Sequence, residues 1–251
     1  MDIPAESKQA TIVSAKRPTG IAVDPCDFEK SGLYLLFPDG RRIALTHERI
    51  HSFAQTFKSN LEQLPERIRG AAAFEPCPVC PERDQAVFCH ALPPALAFVE
   101  ELEGFNSYDR VGALYRGSGP GLVWIPDISM REALQFAAIM SLMSYCEVGR
   151  KYWKFFLGIH PLQDLHGLTA RIHLNILWDC HGDRQKADQV LEKFAAEVNC
   201  TCRCQVDRLN LVCKSDVLTS AFVNIQNKIE YLAMCKGALL DEAFEDHLRD
   251  S

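Results

Sequence analysis

The sequence lacks the apolar segments that would direct a chain into or across a membrane. Residues 1–20 contain no apolar stretch of signal-peptide length, and no run of about eighteen apolar residues occurs elsewhere. The longest apolar stretch covers residues 133–143, where Gln135 and Ser141 interrupt it, and this pattern is typical of a buried helix. These absences predict a soluble, cytoplasmic protein without a membrane partner.

Long basic runs and several common catalytic motifs are also absent. The net charge is −6, so the chain offers no electrostatic reason to expect a nucleic acid as its partner. We find no glycine-rich phosphate loop with its lysine and no Gly-x-Ser-x-Gly nucleophile elbow. The sequence therefore favours a protein that is not an enzyme, and it predicts no catalytic residues.

Cysteine is abundant instead, with 11 residues among 251. In a reducing compartment, clustered cysteines indicate metal or redox sites rather than disulfides. The clearest cluster is Cys77-Pro78-Val79-Cys80-Pro81, which Cys89 and His90 follow. A Cys-x-x-Cys turn brings two thiolates to the spacing of a tetrahedral ion, and a third cysteine can close a short loop on it. We therefore predict that Cys77, Cys80 and Cys89 bind one structural zinc ion.

A closed zinc site needs a fourth ligand. Cys146, at the end of a predicted helix, is the preferred candidate, because His90 adjoins Cys89 and neighbouring residues seldom converge on one ion. An iron–sulfur cluster also takes four cysteines, and it ranks second to zinc. The cysteines could also be unligated thiols, or Cys77 and Cys80 could form a redox dithiol. Pro81 disfavours the dithiol, which requires a helix directly after the motif.

A wider pattern extends from the cysteine loop to about residue 161. It comprises a Cys-Pro-x-Cys-Pro loop, a third cysteine that opens a helix, a Ser-Tyr pair before a strand, a Leu-Gln helix and a fourth cysteine. In this chain the positions are Cys77 to Pro81, Cys89, Ser107-Tyr108, Leu134-Gln135 and Cys146. In this pattern the segment resembles a family of uncharacterised bacterial proteins. That family has Ser-Gly-Cys-Pro where this chain has Ser144-Tyr145-Cys146-Glu147. The resemblance implies a metal site at the four cysteines and adds no reaction.

A second group of cysteines lies near the C-terminus. Cys200, Cys202 and Cys204 alternate along a predicted strand, which would place all three on one face, near Cys180 and His181. They would form either a second metal or redox site or a set of small buried side chains. Same-face residues on a strand are about 6.6 Å apart, which is too far for a tight chelate, so the packing interpretation is favoured.

Hydrophobic periodicity predicts an α+β fold. Pro38-Asp39-Gly40 lies between two apolar runs and predicts an N-terminal hairpin. A long helix capped by Thr46 follows to about residue 69, and Pro65 is a point at which it could be interrupted. A central metal-stapled region of helices and strands comes next, in which Ser129 and Glu132 predict a capping box that opens a helix to about Cys146. Strands at 171–177 and 201–213, with helices at 183–198 and after Ser215, predict a C-terminal ferredoxin-like α/β layer. The predicted domains are 1–72, 73–165 and 166–251, or one continuous domain.

These features favour a non-enzymatic, metal-stapled protein that acts through protein contacts, as an adaptor or a homo-oligomer. The alternative is a thiol- or metal-dependent redox sensor or enzyme that uses the cysteines, with His160 or His173 as a base.

Overall fold

A computed structural model describes residues 28–86, 88–119 and 121–236 of the protein. A short strand expected within residues 11–15 and the acidic segment 241–251 lie outside this range. The strands are β1 (Gly32–Leu36), β2 (Arg42–Thr46), β3 (Arg110–Arg116) and β4 (Leu122–Ser129). The helices are α1 (His47–Ser59), α2 (Glu66–Ala72), α3 (Leu92–Leu96), α4 (Val99–Leu102), α5 (Met130–Ala133), α6 (Gln135–Met140), α7 (Glu147–Arg150), α8 (Leu165–Asp179), α9 (Arg184–Val212) and α10 (Val217–Cys235). Helices and an antiparallel sheet occur together, as the α+β class requires.

The sheet has the strand order β2-β1-β3-β4, and every neighbouring pair is antiparallel. All five residues of β1 are buried. β1 and β2 flank the Pro38-Asp39-Gly40 turn, in which Gly40 has a φ of +85° and donates its N–H to Phe37 O at 3.0 Å. Because a positive φ favours glycine, local turn chemistry supports this pairing.

The helix predicted after β2 is divided in two. The Thr46 side chain accepts the backbone N–H of Arg49, so the predicted N-cap of α1 is confirmed. After a 3-10 turn, Leu61–Gln63, α2 begins directly after Pro65. The proline ring disfavours a helical backbone at the residue before it, and Leu64 is extended, so no helix continues across this point. The loop of residues 73–91, which carries three cysteines, follows α2.

The central helix is also divided. Ser129 and Glu132 form the predicted capping box at the start of α5. The segment then continues as α6 and a π-helical turn, Ser141–Tyr145, and it ends at Cys146. A Cβ added at Gly149 would lie 2.1 Å from Leu142 O, so only glycine allows α7 to pack this closely on the turn before it.

The C-terminal third is helical, and the strands predicted at 171–177 and 201–213 are wrong. Residues 171–177 belong to α8, and residues 201–212 belong to α9. Buried residues recur three or four positions apart along both helices, which is the spacing of one helical face. The buried positions on these helices include Leu168, Ile172 and Ile176 on α8 and Val198, Cys202, Gln205, Leu209 and Val212 on α9. The described residues of this region therefore contain helices in place of a ferredoxin-like α/β layer.

One large hydrophobic cluster draws buried side chains from all three predicted regions. Leu35 of β1, Phe136 of α6 and Phe222 of α10 are each at most 1% exposed within it. None of the helices in the described residues has both the length and the apolar character that a membrane crossing requires.

Candidate metal centre

Cys77, Cys200 and Cys204 form a compact group of thiols. Their sulfur atoms lie within 4.8 Å of one another, and the Cys77 and Cys200 sulfurs are 4.0 Å apart. Cys77 comes from the loop of residues 73–91, whereas Cys200 and Cys204 come from α9. Hydrogen bonds from Cys204, the Val79 backbone and Cys200 lower the pKa of Cys77 to about 6, against the opposite effect of burial. The hydrogen bond to Cys77 raises the pKa of Cys204, and burial raises the pKa of Cys200. Cys77 is therefore the thiol of this group that ionises most readily, and thiolate is the form that binds metals.

The helical course of α9 explains why these thiols meet. Residues four apart lie one above the other on a helix, so Cys200 and Cys204 share a face. Cys202 lies elsewhere on the helix, where it is fully buried, and burial raises the pKa of its thiol. The packing interpretation therefore suits Cys202. The i, i+4 spacing of Cys200 and Cys204 predicts that the two thiols share a face of a helix. In the sequence analysis these residues are assigned to a strand, and the two thiols are therefore not paired.

The four cysteines predicted as ligands line one cavity. Cys77, Cys80, Cys89 and Cys146 all contribute to its wall. Its volume is about 70 Å³, far below the roughly 300–1,000 Å³ of a cleft for a drug-sized ligand. The cavity is therefore small for an organic substrate of that size. Among the described residues, the compact sulfur group contains Cys77 but not the other three, so binding of one ion by all four stays a prediction.

Cys146 is a buried member of the predicted ligand set. It precedes α7, is 8% exposed, and burial raises the pKa of its thiol to about 12. Cys89 also lines the cavity and accepts a hydrogen bond from Gln205 Nε2 at 3.0 Å. Burial thus keeps Cys146 a neutral thiol in this arrangement, and a nearby cation would favour its thiolate.

Arg208 holds the cysteine loop against α9. Its side chain is 2% exposed, and its guanidinium donates to Phe74 O at 3.2 Å and to Glu75 O at 2.6 Å. A third bond, at 2.9 Å, reaches Cys204 O within α9. One buried side chain therefore fixes the backbone just before Cys77 relative to the helix that carries Cys200 and Cys204.

Among the described residues, the compact thiol group includes none of the predicted histidines. His90 is near Glu82 and Glu147 at the cavity wall. His160 and His173 each have a buried Nδ1 without a hydrogen-bond partner in the described part of the chain, and burial lowers the pKa of both. His173 lies on α8, not on a strand.

The start of α1 carries a second type of zinc-binding motif, which contains histidines and no cysteine. His47-Glu48-Arg49-Ile50-His51 has the His-Glu-x-x-His spacing that zinc hydrolases place on a helix. His47 packs edge-on against Phe136, whereas Glu48 is on the surface, paired with Lys30 at 2.6 Å. Among the described residues no third ligand joins the two histidines. The geometry of this motif therefore does not assemble a catalytic zinc site.

Comparisons of the chain with protein-family models, curated proteins and solved structures find no match. The resemblance to the Cys-Pro-x-Cys-Pro family thus stays a prediction, and the candidate site rests on its own geometry.

Proposed function

We propose that the protein is a non-enzymatic, metal-stapled protein whose bound ion is a structural zinc. The observation that carries this proposal is the position of Cys77, which belongs both to the compact thiol group and to the cysteine-lined cavity. Zinc prefers four thiolate or imidazole ligands in a closed structural site. An ion at Cys77 would join the loop of residues 73–91 either to Cys146, which precedes α7, or to α9.

Two ligand sets share Cys77 in this proposal. The sequence pattern supplies Cys80, Cys89 and Cys146, and the described geometry supplies Cys200 and Cys204. The sets differ in their consequences, because only the second uses thiols of α9. Substitution of one member from each set separates them.

Metal content measured on protein purified without chelator tests the proposal. We expect about one zinc per chain, and we expect Cys77→Ser to lose it because both sets contain Cys77. If Cys146→Ser loses zinc and Cys204→Ser retains it, the ligands are Cys77, Cys80, Cys89 and Cys146. If Cys204→Ser loses zinc and Cys146→Ser retains it, the ligands include Cys200 and Cys204 of α9. The chelated wild-type protein should also unfold at lower temperature, since binding free energy at a structural site is folding free energy.

Two controls accompany this experiment. Cys235→Ser changes a half-buried cysteine outside both sets and should leave zinc in place. His47→Gln with His51→Gln tests the motif on α1 and should also leave zinc in place. Metal-free wild-type protein, a brown protein with iron, or zinc that depends on the histidines would each contradict the proposal.

A redox sensor is the second candidate, and the 4.0 Å separation of the Cys77 and Cys200 sulfurs favours it. Two thiols at van der Waals contact can be oxidised to a disulfide when a peroxide accepts two electrons and is reduced to water. A zinc-free protein in which mild peroxide links Cys77 to Cys200, as mapped by mass spectrometry, would support this candidate over zinc.

The second half of the proposal is action through protein contacts. Its support is a set of exposed apolar side chains on two neighbouring segments. Leu174 and Trp178 lie on α8, and Trp153 and Leu157 lie on or directly after the 3-10 turn Trp153–Phe156. Trp178 is 86% exposed, an unusual degree for a large aromatic side chain. We propose self-association through this surface, and sedimentation velocity of the wild type and Trp178→Glu tests it.

A further inference from the structure

Glu82, His90 and Glu147 bring three possible metal ligands together at the wall of the cysteine-lined cavity. One ligand atom of each lies within 4.8 Å of the other two. We propose that these residues form a second metal site, separate from the thiols, for a divalent ion that prefers nitrogen and oxygen ligands.

The separation of His90 and Glu82 suits a shared ion better than a direct contact. His90 Nδ1 and Glu82 Oε2 are 3.7 Å apart, which is too long for a hydrogen bond. Two ligands that bind one ion at about 2.1 Å stand roughly 3.0–3.4 Å apart at octahedral or tetrahedral angles. A small inward movement of either side chain would therefore bring this pair to the spacing of two ligands on one ion.

Three separate segments position these ligands. Glu82 lies in a turn whose backbone is closed by Ala86 N–H donating to Glu82 O at 2.8 Å. His90 is oriented by an edge-on contact with Phe88, at 5.0 Å between ring centroids. Glu147 is the first residue of α7. Their side chains are 42%, 39% and 27% exposed, respectively, so an ion and its water ligands can reach all three.

The local charge also favours a cation. Two carboxylates face one imidazole, and Arg150 is the cation paired with Glu147, at 2.8 Å. Arg83 is near Asp84 instead, at 3.8 Å. Arg150 competes with an ion for Glu147, so we expect reversible binding rather than permanent retention.

The ligand types define the class of ion. One imidazole and two carboxylates suit Mn²⁺, Fe²⁺ or Zn²⁺, and three protein ligands leave coordination positions open for water. Thiolates, in contrast, select zinc or iron–sulfur clusters. Mn²⁺ therefore probes this site with little response from the cysteines.

Titration of the purified, metal-loaded protein with Mn²⁺, followed by the electron paramagnetic resonance signal of the free ion, tests the proposal. We expect about one bound Mn²⁺ per chain, and we expect Glu82→Gln and His90→Gln each to weaken binding by about tenfold or more. Glu62→Gln, a change in the exposed turn Leu61–Gln63, is the matched control and should bind as the wild type does.

Failure of this proposal is distinguishable from failure of the zinc proposal. In the zinc-loaded protein, Glu82→Gln and His90→Gln should lose Mn²⁺ affinity yet keep their zinc, since the two sites share no ligand. No bound Mn²⁺ at about 1 mM, or equal affinity in the wild type and both ligand variants, would overturn the second site whatever the zinc content. Circular dichroism of each variant establishes that the fold is retained. Should His90→Gln fail to fold, the half-exposed Glu82 still provides the decisive variant.

Discussion

Lys228 carries an ammonium group into the interior between α10 and α6. It is 7% exposed, and its Nζ donates to Gln135 Oε1 at 2.8 Å and to Gln163 O at 3.2 Å. Burial lowers the pKa of Lys228 to about 8, and the carboxylates of Glu132 and Asp164 oppose this effect. The charged form is therefore disfavoured in the folded protein relative to the unfolded chain.

This shift predicts a stability that depends on pH. Because the folded pKa lies below the unfolded value of about 10.4, the unfolded chain binds more protons between the two values. The contribution of Lys228 to the free energy of unfolding should rise by about 3 kcal/mol as the pH increases from 8 to 10.5. The same gain should be lost as the pH is lowered from 10.5 to 8. Urea unfolding of the wild type and Lys228→Met across this range measures the difference.

Lys193→Met is the control for Lys228→Met, because the Lys193 side chain is 73% exposed. Its difference from the wild type should hardly change with pH. A difference between the wild type and Lys228→Met that is constant from pH 7 to pH 10.5 would show that the Lys228 ammonium is not disfavoured by burial.

Among the structural elements, α9 determines the geometry of the candidate metal centre. It supplies two thiols of the compact group, the amide that donates to Cys89 and the guanidinium of Arg208. Arg208 presents a planar fork whose donors reach two carbonyls of the cysteine loop at once. A single ammonium cannot reproduce this bidentate contact.

Replacing Arg208 with lysine should therefore loosen the loop. We expect Arg208→Lys to lower the free energy of unfolding by about 2 kcal/mol, because carbonyls of the loop lose their donor while a buried charge remains. Zinc transfer to a coloured chelator should also become faster. Arg203→Lys, at an exposed position of the same helix, is the control. Equal unfolding and equal zinc transfer in both variants would contradict a positioning role for Arg208.

The elements that the sequence predicts correctly are those with local causes. The Thr46 N-cap, the Ser129–Glu132 capping box and the Gly40 turn each depend on hydrogen bonds or backbone angles within a few residues. Local interactions of this kind are visible in a single sequence. The corresponding helix starts and the turn between β1 and β2 could therefore be placed.

The errors have a tertiary cause. Residues 201–213 contain β-branched and sulfur-containing side chains that also suit a strand, and only burial along one face of a 29-residue α9 selects the helix. The candidate site divides in the same way. Proline-flanked Cys77 and Cys80 indicate a metal loop, whereas the approach of Cys200 requires the packing of α9 on that loop, which a single sequence does not reveal.

At the scale of the whole molecule, the exposed apolar surface is defined by Trp153, Leu157, Leu174 and Trp178. Trp153 and Leu157 are 56% and 52% exposed, and Leu174 and Trp178 are 40% and 86% exposed. The two segments are held together, since Asn175 Nδ2 donates to Phe155 O and Leu157 O at 2.9 Å each. Held in this way, the two segments that carry these four exposed side chains need little ordering on association.

Self-association through this surface is the final prediction. In a twofold dimer the same patch covers itself, so one apolar surface suffices for both partners. Sedimentation velocity should show a species of twice the monomer mass that grows with protein concentration. Trp178→Glu should abolish it, because a charge on a buried interface must be desolvated. Met234→Glu, which changes an apolar side chain that is 83% exposed on α10, is the matched control and should still associate. A wild-type protein that stays monomeric at all concentrations, or association that survives Trp178→Glu, would remove this surface from the proposed function and leave the metal sites untouched.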